Sequence, residues 1–454
     1  MSSLTKEEKL FLFSKAPVSQ AILKLALPTI LSQLITMIYN LADTFFVGRI
    51  GDPYQTAALS LVFPLTMLIV MMGNLFGIGG NVVIAKSLGE NNYEKVKKVS
   101  AFSFYGAIVA SFILSFIFII FNKNILTFMG ASENTFNFAK SYLIYVIMIG
   151  APPTVLQLVL AHMLRAEGAA KQAGNGLMLG GIINIVLDPL FILWLKNGIV
   201  GAAIATLIAN CISLIYIILM LRKNYKNSFL SFKISDFSFK YAPEVLINGL
   251  QAAIVVVFGA SANIVMTKTA SSFNDIAVAS FGIMQKYTTM CVNIATGFGQ
   301  GVMPLLGYNY AAKDFNRIKE VNKAAFKFDG IFAVVFVSLV EIFPAFFAGL
   351  FTTHPETIAA TAIFIRLGFI GSAGTILMNF MTSSFQAFGK WQRGIIMNFI
   401  RQIVLYVPLI LILSKIYGVN GLALSFAVSE IIAFFIALIL YIQMLNNIKK
   451  EIQI

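Results

Sequence analysis

The sequence predicts an all-α integral membrane protein of twelve transmembrane helices, arranged as two six-helix lobes related by a pseudo-two-fold axis along the membrane normal. Three observations carry this expectation: an apolar composition, a series of long apolar runs, and an internal repeat of about 220 residues. Of the 454 residues, 58% are hydrophobic and 11% are charged, far from the balance of a soluble globular chain. The apolar runs arrive separately, each of roughly 20 residues or more, as a helix crossing a bilayer requires. They are too long and too continuous for transmembrane strands, which alternate in polarity over about 10 residues.

A polar leader, residues 1–17, carries KEEKLFLFSK without a short apolar core and small-residue cleavage site, so the first apolar run is expected to be retained as a span. The N-terminal lobe, 18–221, is then expected to hold spans at 18–47, 55–85, 97–121, 136–163, 172–195 and 199–221. An inter-lobe linker, 222–241, leads to the C-terminal lobe, 242–445, with spans at 242–267, 276–306, 324–348, 357–388, 394–414 and 419–445, followed by a tail, 446–454.

Basic residues orient these spans. With the N-terminus in the cytoplasm, twenty-three of the 33 Lys and Arg lie in the leader, alternate loops and tail, whereas Arg49, Lys123, Lys196, Lys268 and Lys415 lie on the opposite side. By the positive-inside rule both termini are expected in the cytoplasm. The net charge of +14 follows from that topology and does not point to nucleic acid. Cys211 and Cys291 both sit in apolar runs and give neither metal spacing nor a disulfide framework.

The repeat joins span ends to the segments after them. GIGGNVVIAKSLGENNYEKVKKV from Gly77 matches GFGQGVMPLLGYNYAAKDFNRIKEV from Gly297. RAEGAAKQ from Arg165 pairs with QAFGKWQR from Gln386, and GIVGAAIAT from Gly198 with GVNGLALSF from Gly418. Six spans per half mean that both halves enter the membrane in the same direction, the parallel arrangement that encloses a midplane cavity in many transporters.

The first span ends in NLADTFFVGRIG, the fourth closes in LRAEG and the fifth carries NIVLDP. Together with the twelve-span plan, which covers almost the whole chain, these motifs resemble the multidrug and toxic compound extrusion (MATE) family, in particular bacterial members of MepA-like or DinF-like type. The resemblance implies two six-helix lobes in a V that export amphipathic, often cationic compounds by antiport against Na⁺ or H⁺. It implies no cofactor besides that coupling ion.

A carboxylate inside a span costs at least about 2.5 kcal/mol near a helix centre and is a functional candidate by default. Asp43, Asp188, Glu341 and Glu430 stand out in this way. Gln33, Thr36, Asn40 and Asp43 recur at helical spacing and lie along one face of the first span, which suits either a wet cavity or an interhelical hydrogen-bond seam. Asn184 and Asp188 are one turn apart, and Pro189 frees the carbonyl of Ile185 beside the acid. Oxygen ligands gathered like this suit a hard cation, the same apolar setting also admits a proton, and a simple proline kink is the plainer alternative.

By the resemblance, Asp43, Asn184, Asp188 and Thr206 match a family ion site in the N-terminal lobe and would bind the coupling ion, Na⁺ or H⁺. Gln33, Thr36, Asn40, Asn210, Asn263 and Glu430 are the candidate lining of a substrate cavity. Shifting by about 220 residues sets Asn263 opposite Asp43, Phe426 opposite Thr206 and LYVPLI opposite Asp188, so the acids occur in one half only. This departs from the NorM-like branch of the family, whose C-terminal lobe carries acids of its own. Glu430, opposite Asn210, reads either as a second proton site or as a structural carboxylate, and Glu341 is expected near the outer interface.

His162 is expected to be structural, and Arg165 to anchor at the inner headgroups or cap a helix end. Met37, Met67, Met71 and Met72 suit an adaptable apolar pocket or ordinary packing. There is no phosphate-binding GxxxxGK[ST] loop, triad or zinc spacing in the sequence, which disfavours an enzyme. An antiporter of small amphipathic substrates, acting as a monomer, is the leading expectation. A flippase for lipid-linked oligosaccharides is the alternative and would call for basic groups in its cavity.

Overall fold

A computed structural model describes residues 4–453, which are mostly helical, with no strand among the described residues. The chain divides into two compact units, Met1–Ala253 and Ile254–Ile454, with the division inside one helix. The first unit begins with a short helix, α1 (Lys6–Ser14), started by a reciprocal cap between Thr5 and Glu8. It continues with α2 (Val18–Gly48), α3 (Pro53–Gly89), α4 (Tyr93–Phe128), α5 (Glu133–Leu143), α6 (Ala151–Ala166), α7 (Ala170–Pro189) and α8 (Gly198–Lys223). After α9 (Ala242–Ser271) come α10 (Asp275–Ala311), α11 (Phe315–Ile342), α12 (Pro344–Gly349), α13 (Pro355–Phe364), α14 (Gly371–Ala387), α15 (Trp391–Phe399), α16 (Val407–Tyr417) and α17 (Val419–Gln453).

Among the described residues, eight helices are long and apolar enough to cross a membrane, and two bent pairs bring the number to ten. The remaining expected spans, 276–306 and 324–348, fall on α10 and α11, which have the length at 37 and 28 residues but more polar sequences. The span expected at 324–348 is interrupted. Pro344 disfavours a helical conformation at the residue before it, and Phe343 takes φ −117°, ψ 47°, so α11 stops and α12 restarts.

The repeat is visible in the backbone of each unit. The fourth span bends by 48° between Ile149 and Ala151 in the first unit and by 47° between Phe369 and Gly371 in the second. A π-helical turn precedes each bend, at Ile144–Ile149 and at Ile365–Phe369. Gly198 and Gly418 both have positive φ, 56° and 57°, a conformation that costs glycine little. Side chains at matching places also start the same helices: Asn92 caps α4 and Asp314 caps α11.

Packing is that of a protein solvated by lipid. Helix α4 buries Ser100, Ser103, Ala107, Ser111 and Ser115, while Val109, Phe112, Ile113, Phe116 and Ile120 on its other face are more than half exposed. Small residues let the helices approach closely, and the large apolar ones face the hydrocarbon. The chain is a multi-pass membrane protein.

Candidate functional site

Helix α7 is the axis of the site. A Cβ on Gly174 would lie 2.6 Å from the Pro28 carbonyl oxygen of α2, and one on Gly180 would lie 2.9 Å from Ser213 Cβ of α8. Glycine at these positions therefore lets α2 and α8 close on α7 from two sides, and polar side chains further along the three helices converge. Asp43 from α2 is 7% exposed, Asn184 and Asp188 from α7 are 2% and 0% exposed, and Thr206 from α8 is partly buried.

Asn184 Nδ2 donates to Asp188 Oδ1 at 3.3 Å and to Thr206 Oγ1 at 3.3 Å. The Asp43 carboxyl lies close enough to Asp188 and Asn184 to interact with both electrostatically. Three oxygens in this cluster, Asp43 Oδ1, Asn184 Oδ1 and Asp188 Oδ2, are buried without a hydrogen-bond partner. Two carboxyl groups can share a hydrogen bond only if one carries a proton; if both are ionised, a cation between them removes the repulsion. The unpartnered oxygens are the ligands such a hard cation takes. The structure thus brings all four sequence-derived ion-site residues together. Tyr39 and Tyr142, which the sequence reading did not single out, lie within electrostatic reach of Asp43.

Pro189 ends α7, and the chain runs on as a π-helical turn at Leu190–Trp194, so the acid sits where the regular hydrogen-bond ladder changes register. In the second unit the related π-helical turn, Ile400–Tyr406, precedes Pro408 instead of following a proline. Phe426, opposite Thr206 in the repeat, packs edge-on against Tyr406 at 5.9 Å. An apolar contact stands there where the first unit has its polar cluster.

The six candidate cavity residues differ in their local surroundings within each unit. On α2, Thr36 Oγ1 donates to the Ser32 carbonyl of its own helix at 2.9 Å, Gln33 is half-buried and Asn40 is exposed. Asn210 belongs to a seam between α6 and α8, accepting from Gln157 Nε2 at 2.7 Å and donating to Thr154 Oγ1 at 2.8 Å. Asn263 is exposed on α9. Glu430 is not an open cavity acid. Its Oε1 and Oε2 accept from Arg401 Nε at 2.8 and 3.0 Å, and its Oε2 also accepts from Thr375 Oγ1 at 2.8 Å. Glu430 is buried in an ion pair with the partly buried Arg401, a partner that the sequence reading did not single out.

Other positions also differ from expectation. Arg165 is 2% exposed and does not reach headgroups; it contacts His162 Nδ1 and Ser32 Oγ, each at 3.5 Å, and its Nε has no partner. The carbonyl of His162 accepts from Asn81 Nδ2 at 2.8 Å, consistent with a packing role. Glu341 is half-buried near Ile370 at the bend of the second unit's fourth span, with its Oε1 unpartnered. Asp329 on α11 was overlooked, although it is 1% exposed with both oxygens unpartnered. Met37, Met67, Met71 and Met72 are half-buried.

The MatE family model matches the chain twice, over residues 28–190 and 252–412, in step with the repeat. The multidrug export protein MepA of Staphylococcus aureus (strain NCTC 8325 / PS 47) is 28% identical over 429 residues, 94% of each chain. MepA of Staphylococcus haemolyticus is 28% identical over 451 residues, 98% of each chain. Among solved structures, an outward-facing multidrug resistance MATE family transporter of the MOP superfamily superposes with a TM-score of 0.93 at 22% identity, covering 99% of this chain and 100% of that one. An aspartate-to-asparagine variant of the Vibrio cholerae MATE transporter VcmN gives a TM-score of 0.89 at 21% identity, covering 95% and 97%.

Proposed function

The chain belongs to the MatE family, and from that premise we propose that it exports small amphipathic, mainly cationic compounds in exchange for Na⁺ or H⁺ bound at Asp43, Asn184, Asp188 and Thr206. Export of several chemically unlike compounds is supported by the names of its relatives, whose lengths it spans almost completely. The observation that carries the ion assignment is the pair of buried carboxyl groups meeting between α2 and α7 with three oxygens unpartnered.

The physical logic is one of differential affinity. Without proton or metal, two unit charges about 4 Å apart repel by roughly 4 kcal/mol at an effective dielectric of about 20. That is enough to disfavour the closed α2–α7 seam by nearly three powers of ten. A bound cation or proton removes the repulsion and favours closure. An ion shifts a conformational equilibrium only by binding one state better, and this seam supplies such a difference. The π-helical turn after Pro189 gives α7 a place to flex as the seam opens. The same reading takes the protein as a monomer in a bacterial inner membrane, like the bacterial source of its relatives, and the distribution of its basic residues supports both termini in the cytoplasm.

The test is efflux of a fluorescent cation from vesicles containing the purified protein, with a Na⁺ gradient and a proton gradient imposed separately. One gradient should drive efflux, and Asp43→Asn should abolish that drive. Efflux indifferent to both gradients would overturn the antiport assignment.

A further inference from the structure

Two cavities share a wall at one end of the first unit. The smaller, about 390 Å³, is walled by Phe104, Leu160, Ile218, Leu221 and Phe232, with the exposed Arg222 and Lys233 among its lining. The larger, about 640 Å³, contains Lys6, Lys97, Lys226 and the same Lys233, against two acids, Glu7 and Asp236. Tyr225, Ser228, Leu230 and Lys233 border both, so an apolar chamber opens directly beside a basic one. Asp236 is engaged by Ser231 Oγ, whereas Lys97, Arg222, Lys226 and Lys233 form no ion pair among the described residues.

The shared wall is fixed in place. Lys9 Nζ donates to Glu167 Oε1 at 2.7 Å and to the Asn227 carbonyl at 2.8 Å, with both charged side chains almost fully buried. Glu167 Oε2 accepts from Ser228 Oγ and from the Phe229 N–H, each at 2.9 Å. Ser100 bonds both backbone groups of Ser231, and Tyr105 donates to the Phe232 carbonyl at 2.8 Å. The segment after α8 is therefore a pre-formed surface, and 390 Å³ is within the range of small-molecule sites, about 300–1,000 Å³.

We propose that this double cavity binds one anionic phospholipid, with an acyl chain among Leu160, Ile218 and Leu221 and the phosphate at Arg222 and Lys233. The inference rests on the proposed topology, in which this end of the unit lies at the cytoplasmic face. An apolar chamber next to unneutralised cations matches a ligand that joins a hydrocarbon chain to a fixed negative charge. A zwitterionic lipid brings its own cation into the lysine cluster, and a soluble anion leaves the apolar chamber unfilled. Each basic group beside an anionic headgroup contributes roughly fivefold in affinity, so two contribute about thirtyfold.

The experiment uses the purified full chain in detergent, with retained lipid counted by native mass spectrometry during titration with phosphatidylglycerol, phosphatidylcholine or glycerophosphoglycerol, the headgroup without chains. The expected result is one tightly held phosphatidylglycerol and an affinity about thirtyfold weaker in an Arg222→Gln, Lys233→Gln double variant. Asp43→Asn, which alters a separate site, should hold the lipid like the unmodified chain. Equal affinity for phosphatidylcholine, an unaffected double variant, or equally tight binding of glycerophosphoglycerol would each overturn the proposal. Retained phosphatidylglycerol in a protein whose efflux ignores both ion gradients would refute the antiport reading while supporting the lipid site.

Discussion

Replacing Asp188 by Asn separates charge from shape at the proposed coupling site. Asp188 is fully buried, so a change in volume would confound the result, but Asn is nearly isosteric and retains an oxygen for the 3.3 Å bond from Asn184 Nδ2. The new amide can also donate to Asp43, as a protonated acid does. Two effects then follow with opposite signs. Loss of one charged ligand costs roughly 1.5–3 kcal/mol of ion binding, about 10- to 150-fold in affinity. Loss of the carboxylate pair removes a repulsion of up to about 4 kcal/mol from the ion-free state. The variant should therefore insert and express normally, unfold at an equal or higher temperature without ion, and show little further stabilisation when ion is added. Vesicle transport across a range of Na⁺ and proton gradients, with expression measured in parallel, should show loss of coupled export. Undiminished transport with unchanged ion dependence would refute the reasoning, and so would gross destabilisation, because it would mean that the charge supports the fold.

Further expectations follow from the same geometry. Asp43→Asn should abolish coupled export at normal expression, since the repeat already carries an amide at Asn263; resistance assays with expression controls check this. Asn184→Ala should weaken ion affinity by about tenfold, less than either acid variant, because it removes a neutral ligand; a titration of transport against ion concentration reads it. Pro408→Ala should move the thermal midpoint by a few degrees and leave ion dependence unchanged, because the second unit has no acid beside that proline. Arg401→Met should destabilise by about 3–5 kcal/mol by stranding Glu430, and adding Glu430→Gln should recover much of the loss, as a double-mutant cycle of unfolding would show.

The polar cluster proposed as the ion site was legible because an acid in a long apolar run is rare and costly, so Asp43 and Asp188 stood out, and the family resemblance supplied Asn184 and Thr206. The repeat was legible because glycines at matching places carry backbone demands, seen at Gly198 and Gly418. Pairings across helices were not. Arg401 and Glu430 are 29 residues apart, and whether they face each other depends on helix rotation, which the π-helical turn at Ile400–Tyr406 alters locally. Asp329 was hidden by its neighbour Lys327 near a span end, where charge ordinarily marks the interface. Arg165 misled for the same reason: LRAEG at a helix end suits a side chain reaching for headgroups, yet packing against Ser32 and His162 encloses it. The linker, expected only as a connection, is bound to the first unit through Glu167 and Ser100, contacts that no local pattern encodes.

The central claim is that substrate and ion exchange through the α2–α7 carboxylate pair. It is tested most directly by reversing the drive. In sealed vesicles with no imposed ion gradient, a gradient of the exported cation alone should pull Na⁺ or protons in the opposite direction, measured with an ion-sensitive dye. The account predicts this counterflow in the unmodified chain and its loss in the Asp43→Asn, Asp188→Asn double variant at equal reconstitution. Substrate movement without counterflow in the unmodified chain, or counterflow that persists in the double variant, would contradict it.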